Sequence, residues 1–281
     1  MRKQFSLAAA GLAALLALSA CGAGDSAPAA AVETLDPASP ATVTVGASPV
    51  PHAQILEFVR DNLAEGSGIE LEIQEFDDYT TPNIALSEGD LDANYFQHLP
   101  YFESQVESQG YEFAHGEGVH IEPYAAFSEK HNDVSAIPDG GRVAITNDPS
   151  NQARALTLLQ EAGLLENIEA EASVLSLTEE QNPKGLEFIE NQPELLLNDL
   201  QDPTVDLAII NGNYILDAGL STENALIVES VESNPYANFL AWNTSSEGDA
   251  RIAKLEELLH SPEVKQYIEE TWPSGDVAPA F

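Results

Sequence analysis

The sequence predicts an α/β fold in which strands alternate with helices and most of the sheet is parallel. Three observations predict it. Short apolar runs have the length and composition of buried strands. Longer segments between them carry apolar residues at helical spacing. Capping residues and glycines punctuate those segments where helices would start and stop.

In chain order, VTVGAS (43–48) reads as a buried strand. PVPHAQILEFVRDNLAEGSG follows as a helix, with Ile55, Phe58, Val59 and Leu63 on one face and glycines at its end. IELEIQEF (69–76) alternates strictly, turning Ile69, Leu71 and Ile73 towards a core. TPNIALSEGD is a short helix, with Thr81 as N-cap, Pro82 at the first helical position and Gly89 as the stop. LDANYF is a strand, and so is GRVAIT (141–146). Asp148-Pro149 opens the helix SNQARALTLLQEAG, which ends at Gly163. VDLAII (205–210), ALIVES (225–230) and NFLAWN (238–243) are strands. The last helix begins near Ser246, where Ser246 and Asp249 form a capping-box-like pair ahead of the stripe Ile252, Leu255, Leu259. The strand–helix alternation is what implies the parallel sheet.

The N-terminus is a targeting segment. Arg2 and Lys3 precede an apolar run from Ala8 to Ala17, too short to span a bilayer. The run ends in Leu18-Ser19-Ala20-Cys21, which resembles the lipobox of bacterial lipoproteins, where cleavage precedes a Cys that then carries a diacylglycerol. Cys21 is the single cysteine of the 281 residues, so intramolecular disulfides, Cys-based metal sites and thiol enzymes are excluded. Residues 1–20 are then a signal peptide. Residues 21–41, the lipidated Cys and an Ala/Pro/Ser-rich stretch, are a flexible tether to the membrane, and the fold begins at Thr42. Cleavage leaves 8 of the 10 bases against 47 acids, a formal charge of −39. Nucleic-acid binding, which needs a basic face, is excluded as a function, and the acidic excess reads as a solvated surface.

Motifs for catalysis are missing. His115, His120 and His131 lie near Glu117 and Glu122, but no metal-ligand spacing such as HExxH joins them. There is no Gly-rich phosphate loop and no nucleophile elbow. No cofactor, metal or enzymatic activity is therefore expected. The chemistry-bearing stretch is NYFQHLPYF (94–102), four rings and a histidine in nine positions, with Asn94, Gln97 and His98 interleaved. Such a knot describes either a packed core or a small-molecule pocket lined by rings and a few polar groups.

ALSEGDLDA (85–93) is similar to a stretch common in bacterial solute-binding proteins. It occurs together with ASPVPHAQIL (47–56), FDDYTTPNIALSEGDLDANYFQHLPYFESQ (76–105), VHIEPYAAFS (119–128), NDPSNQAR (147–154), IINGNY (209–214) and SNPYANFLAW (233–242). In that order the blocks resemble the NlpA-type methionine-binding lipoproteins of ABC importers, from about residue 42 to the C-terminus. Ala125 stands where many members have Gly, and Phe127 where many have Tyr. The resemblance implies a two-lobed, periplasmic-binding-protein-like (type II) fold with the ligand cleft between α/β lobes. Lobe one would hold 42–128 and 238–281, and lobe two 129–237. It implies methionine, with the L isomer expected, as the ligand. A Met-containing dipeptide or another apolar amino acid is the alternative within the fold, and an exported enzyme or an adhesin the alternative outside it. The implied partners are the permease and ATPase subunits of an importer, reached from the extracytoplasmic side of the membrane.

The resemblance also places site residues. Phe96, His98 and Tyr101 match the family segment that lines the cleft from lobe one, joined by Tyr79. A polarizable thioether gains from ring contacts, which suits this set. An amino acid further needs partners for its carboxylate and ammonium. Arg154 is the candidate for the carboxylate, one helical turn after Asn151 and on the same face. An exposed Arg154 pairing one of the many acids is the alternative. Asn211 and Asn238 match family asparagines that can accept from an ammonium or donate to a carboxylate, and Asn213 and Tyr214 rank below them.

Overall fold

A computed structural model describes residues 32–281. Cys21 and the signal segment lie outside the described residues. The elements are β1 (Ala41–Ala47), α1 (Gln54–Asn62), β2 (Ile69–Glu75), α2 (Thr81–Glu88), β3 (Ala93–His98), α3 (Leu99–Gln109), β4 (Phe113–His115), β5 (His120–Ile121), β6 (Ala125–Phe127) and β7 (Arg142–Thr146), then α4 (Pro149–Glu161), β8 (Glu187–Asn191), α5 (Leu196–Leu200), β9 (Leu207–Ile210), α6 (Gly212–Asp217), β10 (Ile227–Val228), β11 (Asn238–Asn243), α7 (Ala250–Leu259), α8 (Pro262–Thr271) and β12 (Ala278–Pro279).

They form two lobes, each built on one sheet. The first sheet runs β12-β5-β11-β3-β1-β2, with β4 also paired to β11, and the second runs β10-β6-β9-β7-β8. β1 is parallel to β2 and β3, and β7 to β8 and β9, as strand–helix alternation requires. The sheets are nonetheless mixed rather than mainly parallel. β6 and β11 are the strands that arrive from the opposite lobe, and each runs antiparallel to its neighbours. That reversal follows from where the chain crosses, which no local hydrophobic period records.

The crossings also correct two expected boundaries. Ala125–Phe127 pair in the second sheet, so the chain leaves lobe one at residues 122–124 and not at 128. It returns along residues 229–237. The stretch expected to be all tether is ordered over its last part. The Ala250 N–H donates to the Val32 carbonyl at 2.7 Å, and Leu35 packs on the lobe-one core. An apolar Leu among alanines and prolines has surface to bury, which composition averages away.

Each lobe has its own core. In lobe one, Val43 and Val45 of β1 meet Ile55, Leu56 and Val59 of α1 and the stripe Ile252, Leu255, Leu259 of α7. In lobe two, Val143, Ile145, Leu207 and Ile209 face Leu156 and Leu159 of α4. The opposite face of the same strands, Ala144, Ala208 and Ile210, covers Leu196 and Ile215.

Two caps differ from expectation. Thr81 does not cap α2: the Asp78 carboxylate accepts from the N–H groups of Thr80 and Thr81, both at 2.7 Å. Gly89 does end α2, at φ +81°, where a side chain would be strained. At α7, Asp249 alone caps by accepting from the Arg251 N–H at 2.8 Å. α8 follows the helix expected to be the last, capped by Ser261. Among the described residues no helix is long and apolar enough to cross a membrane.

Candidate functional site: a cavity between the lobes

The carboxyl ends of the parallel strands meet at the cleft, where ligands of open α/β sheets bind. There a cavity is lined by residues of both lobes and of the first crossing. It contains every ligand residue expected from sequence: Tyr79, Phe96, His98, Tyr101 and Asn238 from lobe one, and Asn151, Arg154 and Asn211 from lobe two. Gln97, Glu122, Gly212 and Asn213 complete the lining.

One wall is aromatic. β3 lies between β1 and β11 and is buried along its whole length. It ends at His98, and α3 then starts at once, so Phe96 and Tyr101 are set on either side of a sharp turn. The Tyr101 N–H donates to His98 Nδ1 at 3.3 Å, capping α3. Tyr79, Phe96 and Tyr101 form a ring triangle with centroids 5.8–6.0 Å apart. The Tyr101 hydroxyl donates to the Tyr79 carbonyl at 2.9 Å. Behind the rings, Gln97 exchanges hydrogen bonds with Asn83 and Asn94 at 2.9–3.1 Å. The polar residues interleaved in 94–102 therefore divide: Gln97 and His98 reach the cavity, and Asn94 braces it from behind. A closed polar cluster of this kind fixes the strand that carries the rings.

The opposite wall is polar. α4 aims its N-terminus at the cavity, and Asp148 caps it, accepting from the Asn151 N–H at 2.8 Å. Asn151 Oδ1 receives both the His98 Nε2–H at 3.0 Å, across the cleft, and the Asn211 amide at 3.1 Å. His98 is thus a neutral Nε2–H tautomer, and burial, then the Arg154 charge, pushes its pKa down to about 3. Asn211 Oδ1 is buried without a hydrogen-bond partner.

Arg154 is buried, not exposed. Its Nε and Nη2 donate to the two oxygens of Glu229 at 2.8 and 2.5 Å, and Nη2 also donates to the Glu122 carbonyl at 2.9 Å. Its guanidinium is sandwiched by Tyr236 at 4.1 Å and Tyr124 at 4.9 Å. The expected alternative, an acid pairing with this Arg, is present together with burial: Glu229 fixes one edge of the fork. Among the described residues no hydrogen bond uses Nη1, and Arg154 lines the cavity. Burial would lower the Arg154 pKa, but the Glu229 hydrogen bonds and charge raise it, so the cation is permanent.

Glu122 brings a carboxyl group to the same cavity. It sits on the first crossing, buried, with His120 Nε2 at 2.8 Å and His52 Nε2 at 3.2 Å from Oε1. Burial pushes its carboxyl pKa up, and the Arg154 charge and a hydrogen bond from the Asn213 N–H pull it back. A Cβ on Gly212 would lie 2.5 Å from Glu122 Cβ, so only glycine lets α6 approach this carboxylate. Sequence reasoning weighed Glu122 only as a metal ligand beside His115, His120 and His131. Those histidines separate: His131 bonds Asp206 at 2.9 Å, and His115 bonds the Gly116 carbonyl. Among 47 acids nothing in the local sequence marks Glu122; its position at a crossing does. Tyr214, ranked low, stays out of the lining and instead donates to the Asp77 carbonyl at 3.0 Å.

The cavity thus presents a ring cage, a fixed cation, a buried carboxyl group and an orphan acceptor. This set complements a small zwitterion with an apolar side chain. The same architecture recurs in known proteins. A lipoprotein of Actinomyces odontolyticus superposes with a TM-score of 0.81 at 47% identity, covering 86% of this chain and 99% of that one. A nutrient-binding protein of Burkholderia cenocepacia, solved bound to methionine, superposes with a TM-score of 0.79 at 36% identity, covering 85% and 100%. The methionine-binding lipoprotein MetQ of Bacillus subtilis is 35% identical over 242 residues, 84% of this chain and 87% of its own. The profile of the NlpA lipoprotein family matches residues 43–281, and with relatives that agree over nearly their whole length, the chain belongs to the NlpA lipoprotein family.

Proposed function

We propose that this protein is a lipoprotein, anchored through Cys21 on the extracytoplasmic face of the membrane, that captures methionine and delivers it to the permease of an ABC importer. One observation carries the reading: a buried guanidinium and a buried carboxylate face one cavity whose remaining wall is a cage of rings. The Arg154 Nη1 edge takes the ligand carboxylate, beside the N-terminus of α4, whose dipole favours an anion. Glu122 and the free Asn211 Oδ1 take the ammonium. Tyr79, Phe96 and Tyr101 hold the side chain, where a thioether gains roughly 0.3–1.5 kcal/mol per ring contact. The relatives bound to or named for methionine support this ligand.

Calorimetric titration with methionine, norleucine, leucine and a Met-containing dipeptide tests the proposal. Methionine is expected to bind most tightly, with norleucine next because only the sulfur is lost. Binding of none of them sinks the transport reading and favours an adhesin that keeps the fold. Tighter binding of the dipeptide moves the ligand class.

A further inference from the structure

Behind the cavity wall lies a buried group that the ligand contacts above do not use. The Tyr95 hydroxyl is hydrogen-bonded to His120 Nδ1. His120 Nε2 is 2.8 Å from Glu122 Oε1. His52, from the turn before α1, has its Nε2 3.2 Å from the same oxygen and 3.2 Å from Asn238 Oδ1. The three rings pack edge to face, with His52 centroids 5.0 Å from Tyr95 and 4.7 Å from His120. Tyr95 and His120 are wholly buried, His52 is 1% exposed, and none of the three lines the cavity.

The protons in this group can be placed. Both Nε2 atoms face only acceptors, so both carry the hydrogen, and His120 Nδ1 accepts from Tyr95. Both imidazoles are then neutral, which agrees with burial pushing His52 down to about 4 and His120 to about 3. The His120 N–H donates to Oε1, while the His52 Nε2–H donates to Asn238 Oδ1 and lies 3.2 Å from the same carboxylate oxygen; Oε2 is turned towards Gly212 at the cavity wall. The His52 Nδ1 is buried with no hydrogen-bond partner. An apolar ring would fill that space without an orphan nitrogen, so packing does not explain a histidine there.

Resting on the proposed function above, we propose that His120, held by Tyr95, is a positioning residue that fixes Glu122 for the ligand ammonium and so makes the site selective for a free α-amino group. Neutral donors steer the carboxylate without neutralising it. A cation in their place would compete with the ammonium for the same charge. Amino acids with an acylated nitrogen, and acids lacking the amine, leave this prepared carboxylate unpaired and are rejected.

The test compares methionine with 4-(methylthio)butanoate, which lacks only the amine, by calorimetry on wild type, His120→Leu, His120→Gln and Tyr95→Phe. Wild type is expected to favour methionine by about 30-fold or more, the loss expected when one partner of a buried charge pair is removed. His120→Leu is expected to cut that preference by about tenfold while the deaminated analogue binds within about threefold of wild type. Tyr95→Phe, which removes one oxygen far from the ligand, shifts the preference the same way by less. His120→Gln keeps a donor near the Nε2 position and restores part of it. A merely structural role predicts equal losses for both ligands, and that result overturns the inference, as does an unchanged preference in all variants. If His120→Leu does not fold, Tyr95→Phe decides. Loss of the wild-type preference on EDTA treatment also overturns it, because a metal would then be holding Glu122. Failure of wild type to bind either compound fails the proposed function instead.

Discussion

Arg154 serves two purposes at once, and its replacement has two expected outcomes. Among the described residues its Nη1 makes no hydrogen bond and is the edge proposed to take the ligand carboxylate, while its other edge and its flat faces hold Glu229, Tyr124 and Tyr236 together. Arg154→Ala is expected to weaken methionine binding by about 30-fold or more. It is also expected to lower the melting temperature of the empty protein, because removing one partner of a buried pair costs roughly 3–5 kcal/mol. Arg154→Lys restores only part of either, since a point charge cannot reproduce the fork. Calorimetry and thermal melting separate the two effects. The sequence showed that an Arg and an Asn share a helix face; it could not show Glu229, 75 residues away, on the other edge. Glu256 of α7 makes a second residue-scale prediction. Burial, offset in part by His260, raises its carboxyl pKa from 4.5 to about 7, and its Oε1 has no partner. A carboxyl with a raised folded-state pKa binds more protons folded than unfolded, so stability is full below about pH 4.5 and is lost as pH rises to about 7. Glu256→Gln is expected to flatten the melting profile across that window. An unchanged pH slope in the variant excludes Glu256 as its source.

At the scale of elements, the clearest test is the start of α2. Asp78 holds the N–H groups of Thr80 and Thr81 and the Thr81 hydroxyl. Tyr79 lies between that cap and the helix. Asp78→Ala is expected to cost about 1 kcal/mol of stability. It should also weaken methionine binding several-fold through Tyr79, whereas a variant whose melting falls with affinity intact would separate the cap from the cage. Elements with strong periods were legible: β1, β2, α4, β9 and the stripe of α7. The corrections fall where two neighbouring side chains compete for one role or where the deciding interaction is distant in sequence. An Asp three residues before Thr81 outcompeted its hydroxyl as cap. β6 and β11, which run antiparallel to their neighbours, owe their direction to the crossings. The cage was legible because Phe96 and Tyr101 fall in one short aromatic-rich stretch and Tyr79 in a block just before it, while Glu122 and the histidines behind it come together only in the folded sheet.

As a whole, the molecule is two lobes tied across the cleft near the cage. Tyr79 donates to Asn213 Oδ1 at 2.5 Å, Tyr214 to the Asp77 carbonyl at 3.0 Å, and His98 to Asn151 at 3.0 Å. All three bonds join lobe one to lobe two and break if the lobes hinge apart. The described arrangement is therefore a closed form, and ligand binding at its centre is expected to favour it. Small-angle scattering should show a smaller radius of gyration with methionine than without it. The same radius in both states contradicts hinge closure. The chain carries a net −37, and among the described residues most acids are exposed, which keeps the basic fork of the cleft in contrast with its surroundings. The most direct test of the account is a crystal structure of the protein with methionine. The account places the carboxylate on Arg154 Nη1, the ammonium against Glu122 and Asn211 Oδ1, and the thioether among Tyr79, Phe96 and Tyr101. A methionine bound with its ends exchanged, or outside this cavity, contradicts it.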